Sequence, residues 1–245
     1  MTVEQLAALR TEADTLVAAC RLAGPDAPVP SCPGWDIAAL AGHVGFVHRW
    51  AARIVTTGNR PGKGELGERP DRTGAIDYLA AGIAPLIDAL GAADPTAPCW
   101  NFSPAPQVAG FWLRRQVQET AVHRWDAQTA TGTQTPIAAA VAADGLAEVF
   151  DVQIPQVLAV PDRPRVDLGG SLHLHCTDTE GEWTFRIDGG ALSVTVGHSK
   201  GDVALRGPAS QLLLSMWRRV PVSADGLEVF GDRAVLDRLL AMPWI

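Results

Sequence analysis

The sequence predicts an α+β protein, with an N-terminal four-helix bundle followed by a small α+β unit built on an antiparallel sheet. Three observations carry this reading. Apolar residues recur at three- and four-residue spacing through the first ~130 positions. The pattern then changes to short alternating runs near residue 165. Two of those runs meet at Asp188-Gly189-Gly190, a hairpin signal.

Taken in order, the first helix spans Glu4 to Ala23, with Leu6, Leu9, Ala13, Leu16, Val17 and Cys20 on one face. The stretch GPDAPVPSCPG breaks it. The second helix starts at Asp36, an N-cap residue type, and runs to Thr57. Gly58 to Pro70 is rich in glycine, proline and charge and reads as a long surface loop. A third helix covers Thr73 to Leu90, and GAADPTAPCWNFSPAPQ separates it from a fourth, Val108 to Thr131. Four helices with two long connections fit a bundle over residues 1–132. In the second region, 133–245, a fifth helix covers Ile137 to Leu158. Strands follow at Ser171–Thr177, Glu182–Ile187, Ala191–Val196 and Asp202–Leu205. Pro208 opens a helix over Ala209 to Arg219, and the last helix runs from Asp232 to Ala241. No internal repeat is visible.

The bulk properties exclude several classes. A net charge of -7 opposes nucleic-acid binding, which needs a basic surface, and opposes an anionic membrane surface. No apolar run reaches the ~18 residues of a membrane span, and the N-terminus lacks the basic and apolar regions of a signal peptide, so a cytoplasmic location is expected. Cys20, Cys32, Cys99 and Cys176 are scattered without CxxC pairing and read as buried free thiols.

Between Asp36 and His48, His43 is the only residue with a polar side chain. Leu40, Ala39, Phe46 and Val47 lie three and four positions away, so His43 occupies the apolar face of the second helix. Taken alone, it is an ordinary core histidine bonded to a carbonyl or carboxylate. In the fourth helix, QVQETAVHRWDAQTATG places Glu119 and His123 four apart on one face, with Gln116 and Asp126 extending the row. Taken alone, this is a solvated polar face. Together, two histidines and a carboxylate on facing bundle helices form a metal-ligand set with an open position, the pattern of catalytic zinc. Asp126 is placed to orient a ligand imidazole.

The stretch CPGWDIAALAGHV resembles the second-helix signature of DinB-like metal-binding bundles. QETAVHRWDAQTATG is similar to the corresponding motif of the mycothiol-dependent maleylpyruvate isomerase family of actinobacteria. RGPASQLLLSMWRR and LEVFGDRAVLDRLL resemble that family's second, sterol-carrier-like domain, so the likeness covers essentially the whole chain. It implies a divalent metal, zinc foremost, on His43, Glu119 and His123, and mycothiol as a low-molecular-weight thiol cosubstrate. It also implies an arginine of the second domain acting on an acidic, electrophilic small molecule, with Arg218 and Arg219 as the candidates. Arg218, Arg219 and Asp126 then complete the catalytic set. Metal coordination would turn the thiol into a thiolate at neutral pH, for isomerisation of a substrate such as maleylpyruvate or for S-transfer.

Two other readings use the same residues: a metal-dependent hydrolase, and a non-catalytic metal or small-ligand binding protein. They differ from the first in whether turnover needs thiol and in whether the metal has an open position. His173 and His175 alternate in SLHLHC and share a strand face, but with no evident third ligand they read as strand surface. His48 lies off the His43 face and is expected at the bundle surface. Trp50 and Trp125 are expected in the core or as pocket wall near the ligands. No P-loop, dinucleotide fingerprint or Gly-x-Ser-x-Gly elbow occurs.

Overall fold

The computed structural model describes residues 3–161 and 165–242. Four helices form the first region: α1 (Val3–Ala23), α2 (Ile37–Thr57), α3 (Ala75–Ala92) and α4 (Gly110–Thr129). Each falls on an expected segment. At the start of α2 the Asp36 carboxylate accepts from the Ala39 amide at 2.8 Å. At its end Gly58 adopts φ 73°, a left-handed cap that glycine takes without strain.

The α2–α3 contact is tight because α2 offers Gly45 there. A Cβ at that position would lie 2.7 Å from the Tyr78 ring and 3.0 Å from the Leu79 Cα. α3 is apolar and, at 18 residues, long enough by length and composition to cross a membrane, an amendment to the expectation that no such run exists. In this fold it buries Leu79, Ile83, Leu86 and Leu90 along one side, and Asp77 near its start pairs with Arg21 of α1.

α4 departs from the usual amphipathic pattern. It buries Arg115, Gln116, Gln118, Thr120, His123, Arg124, Asp126 and Gln128 alongside its apolar residues. Polar groups carried into a core need partners, and several on α4 find them on neighbouring elements or one turn along the helix. Arg124 donates to Glu12 of α1 at 2.7 Å, to Gln128 at 2.8 Å and to the Thr135 carbonyl at 2.5 Å. His48 meets the Thr120 hydroxyl at 3.0 Å. It is fully buried, which corrects its expected place at the surface. α2 is covered along a wider arc than a single apolar stripe would give.

Contacts group the chain into two units. One runs through residue 101 and takes in 105–135; the other takes in 102–104 and the described residues from 136 onward. In the second unit, the single helix expected over Ile137–Leu158 is divided. α5 (Ala139–Glu148) passes through a π-helical turn, Val149–Gln153, into α6 (Ile154–Leu158). Pro155 gives the reason: it has no amide to offer the carbonyl four residues back, and its ring crowds that carbonyl, so the helix widens just before it.

The sheet comprises β1 (Ser171–Cys176), β2 (Glu182–Asp188), β3 (Ala191–Val196), β4 (Val203–Gly207) and β5 (Glu228–Gly231), in the order β3-β2-β1-β4-β5. The pairs β1–β2, β2–β3 and β4–β5 are antiparallel. β1–β4 is parallel, so the sheet is mixed, with its other three pairings antiparallel as expected. The chain leaves β3 at one edge and returns through residues 197–202 to pair β4 with β1. β5 was not foreseen from sequence. Leu172, Leu174, Trp183, Phe185 and Ile187 point to the buried side of the sheet, on which α7 (Ala209–Met216) and α8 (Arg233–Leu240) pack. α7 is shorter than expected, because Arg218 just beyond it takes a left-handed φ of 57°.

Candidate metal centre

The loop before α2 builds one wall of the site. In Cys32-Pro33-Gly34-Trp35, proline sets the first turn position and Gly34, at φ 84°, supplies the left-handed second one. The Trp35 amide closes the turn on the Cys32 carbonyl at 2.9 Å. This delivers Trp35 against two imidazoles. Its ring stacks on His123 with a centroid distance of 6.2 Å and meets His43 edge-on at 5.1 Å.

α2 contributes His43, and α4 contributes Glu119 and His123. His43 Nε2 lies 3.0 Å from Glu119 Oε1, and His123 Nε2 lies 3.3 Å from the same oxygen. Four-coordinate zinc with bonds of about 2.0–2.1 Å holds its ligand atoms roughly 3.3 Å apart, so this donor set fits such an ion without large movement. The chemistry fits too: two imidazoles and one carboxylate suit zinc and its neighbours. The His43 side chain is 31% exposed and that of His123 11%. His43 therefore stands nearer the rim than the deep interior position expected of it.

Asp126 is fully buried. One of its oxygens accepts from His123 Nδ1 at 2.9 Å and from the Cys32 thiol at 3.3 Å; the other accepts from the Ser31 hydroxyl at 2.7 Å. With Nδ1 so engaged, His123 turns Nε2 toward Glu119 and His43, as a ligand imidazole must. Arg115, one turn before Glu119, lies 3.4 Å from its second oxygen.

These charges tune one another. For His123, burial works to lower the pKa, but the Glu119 charge and the bonds from Asp126 and Glu119 outweigh it and raise the pKa from 6.5 to about 9. For Glu119, burial works upward, yet His123, His43 and Arg115 hold the carboxyl well below its usual range.

Sequence reasoning singled out His43, Glu119, His123 and Asp126, and the fold brings all four together. It missed Trp35, Ser31, Cys32 and Arg115. The arginine was detectable, since Arg115, Glu119 and His123 are spaced by four, whereas Gln116, named in its place, is simply buried beside them. Trp50 belongs to a separate cluster with Trp100 and Trp112. None of the four cysteines forms a disulfide; Cys20, Cys99 and Cys176 are buried as expected, whereas Cys32 is only half-buried. Burial pushes the Cys20 thiol up to about 12. Arg218 and Arg219 belong to the second unit. There Arg218 donates to the Met242 carbonyl, and Arg219 donates to the Trp217 carbonyl at 2.9 Å. A hollow of about 360 Å³, walled by Ser215, Val220, Pro221, Val222 and Leu240, opens beside both.

The family profile described as the mycothiol maleylpyruvate isomerase N-terminal domain matches residues 6–128. The profile for that family's C-terminal domain matches residues 140–238. Among solved structures, the chain is similar to a crystal structure of the mycothiol-dependent maleylpyruvate isomerase, at 14% identity and TM-score 0.58, over 92% of this chain and 91% of that one. A point mutant of that isomerase aligns over the same shares at 13% identity and TM-score 0.55. At these identities the likeness establishes the fold. No match was found among curated proteins. Matched by the profiles of both domains, in order and across most of its length, the chain belongs to the mycothiol maleylpyruvate isomerase family, a family named for an enzyme.

Proposed function

We propose that this protein is a metal-dependent thiol enzyme that uses mycothiol to isomerise a small acidic cis-alkene of the maleylpyruvate type, or to transfer the thiol to a related electrophile. The observation that carries the reading is the chain Asp126–His123–Glu119–His43, in which a buried carboxylate orients one of two imidazoles that converge on a second carboxylate. Family membership supplies the thiol and the substrate class. A divalent ion such as zinc, bound by His43, Glu119 and His123, would lower the pKa of a thiol and hold it as thiolate at neutral pH.

The chain's own residues set the geometry. Asp126 acts through His123, fixing its tautomer and ring plane, and is a positioning residue. Trp35 walls the imidazoles and excludes water from their faces. Arg115 neutralises the Glu119 oxygen that faces away from the histidines. In the reaction the thiolate sulfur adds to the alkene carbon conjugated with a carbonyl, and the electron pair moves onto the carbonyl oxygen. The former double bond rotates. The enolate then collapses and expels the thiolate, giving the trans alkene with no net change in atoms. In a transferase the enolate takes a proton instead, and the thioether is released. A fixed cation facing the enolate and the substrate carboxylate lowers this barrier, and Arg218 or Arg219 is proposed for that role.

The test is turnover of cis-alkenoic acids and of a thiol-reactive probe, with and without mycothiol. Turnover is expected only with thiol, and is expected to be lost in Glu119→Ala. Removing the catalytic arginine should cost more in kcat than in KM if it acts on the enolate. Metal-dependent hydrolysis of esters, amides or lactones without thiol would replace this reading with the hydrolase one.

A further inference from the structure

We infer that the second unit carries its own divalent transition-metal site, of the zinc class, formed by His173, His175, Glu182 and His198. Their candidate ligand atoms all lie within 4.8 Å of one another. This site is independent of the bundle site and does not rest on the proposed activity.

Strand register assembles the cluster. His173 and His175 alternate along β1 and point to the side of the sheet away from Leu172 and Leu174. β2 pairs antiparallel with β1, placing Glu182 directly opposite His175 and Thr184 opposite His173. β3 ends at Val196 opposite Trp183, so the chain passes Glu182 as it leaves the sheet, and His198 falls beside it. His175 Nδ1 is 2.6 Å from Glu182 Oε1, His198 Nδ1 is 3.0 Å from Oε2, and His173 Nε2 is 3.8 Å from Oε2. At Oε2 the 3.0 and 3.8 Å separations bracket the roughly 3.3 Å between ligand atoms of four-coordinate zinc, while His175 faces the other oxygen of the same carboxylate.

The orientation of His173 fits this. Its Nδ1 donates to the Ser199 carbonyl, which turns Nε2 toward the Glu182 carboxylate. A metal-binding histidine is held in this way, one nitrogen donating to a carbonyl and the other left for the ion. The loop that supplies the carbonyl is shaped to reach it. A Cβ on Gly201 would come 2.9 Å from the His173 amide nitrogen, so glycine is what lets residues 197–201 close on β1. Arg206, beside His175 on β4, is turned to Glu228 at 2.9 Å and leaves the cluster's one carboxylate to the imidazoles.

Three imidazoles and a carboxylate fill a tetrahedral shell and leave no open position, the form of a structural site. Its effect would be to pin the crossover loop to the sheet, since His198 is 85% exposed and meets the sheet through the Glu182 ion pair and an edge-on ring contact with His173.

The experiment is a zinc titration of the full-length, metal-stripped chain with a competing chelator. The native chain should take up two equivalents. The double variant His43→Ala/His123→Ala should keep one, and adding His198→Ala to it should weaken that remaining equivalent at least tenfold. His198 is a loop residue whose removal leaves the core intact, and Glu182→Gln, which keeps the side-chain shape, should weaken binding similarly. Cobalt uptake by the bundle variant should give a four-coordinate visible spectrum that His198→Ala alters. No zinc bound to the bundle variant, or zinc bound equally well after His198→Ala and Glu182→Gln, overturns the inference.

Discussion

Replacing Asp126 by asparagine isolates the role of a carboxylate that touches no substrate. The side chain keeps its size in a fully buried position but loses the charge that His123 Nδ1 faces at 2.9 Å. Partners of this kind contribute roughly 10–100-fold to metal affinity, or about 1.4–2.7 kcal/mol. The same carboxylate also helps hold the His123 pKa near 9, and that proton must leave before Nε2 can bind a cation. At pH 7 proton competition therefore weakens the native site by roughly 100-fold. Asp126→Asn lowers this pKa and relieves part of that competition, so the two effects oppose each other at neutral pH. The variant's deficit should be small at pH 7 and should open toward the full ~10–100-fold by pH 9. Chelator-competition titrations at both pH values, in a chain lacking His175 and His198, read this directly. Equal affinities at pH 9 would refute the claim that Asp126 orients His123.

Three further outcomes follow from the packing. His48 is buried, and burial lowers its pKa from 6.5 to about 4. The unfolded chain therefore takes up a proton that the folded chain refuses as pH falls from 6.5 to 4, and up to about 3 kcal/mol of stability is lost across that window; urea unfolding at pH 7 and pH 4.5 should show it, and His48→Gln should flatten it. Glu12→Ala leaves the Arg124 charge buried on α4 and should cost about 3–5 kcal/mol in denaturant unfolding. Gly34→Ala meets no neighbour within 4 Å but forces a left-handed φ on alanine, so thermal unfolding should register a loss of about 1–2 kcal/mol from strain alone.

Local spacing explains what the sequence revealed. Glu119 and His123 stack because they are one helical turn apart, and Asp126 follows within reach of the same ring. His43 stood out as the only polar residue in an apolar run. The residues that were missed are set by relationships longer than a turn of helix. Trp35, Ser31 and Cys32 reach α4 only because the loop before α2 folds back as a glycine turn. His48 was misplaced because α2 is buried on two sides, one against α3 at Gly45 and one against α4 at Thr120, and a single apolar stripe does not describe such a helix. In the sheet, alternation located four strands but not their pairing, so the parallel β1–β4 contact stayed hidden. His173 and His175 were visible as a pair for the same reason, while Glu182 and His198 join them through register and a crossover loop.

Whether His43, Glu119 and His123 form a metal centre is decided by zinc stoichiometry in a chain carrying His175→Ala and His198→Ala. That protein should bind one equivalent of zinc, and adding His123→Ala should abolish it while the fold persists by circular dichroism. A full equivalent retained without His123 would contradict the assignment.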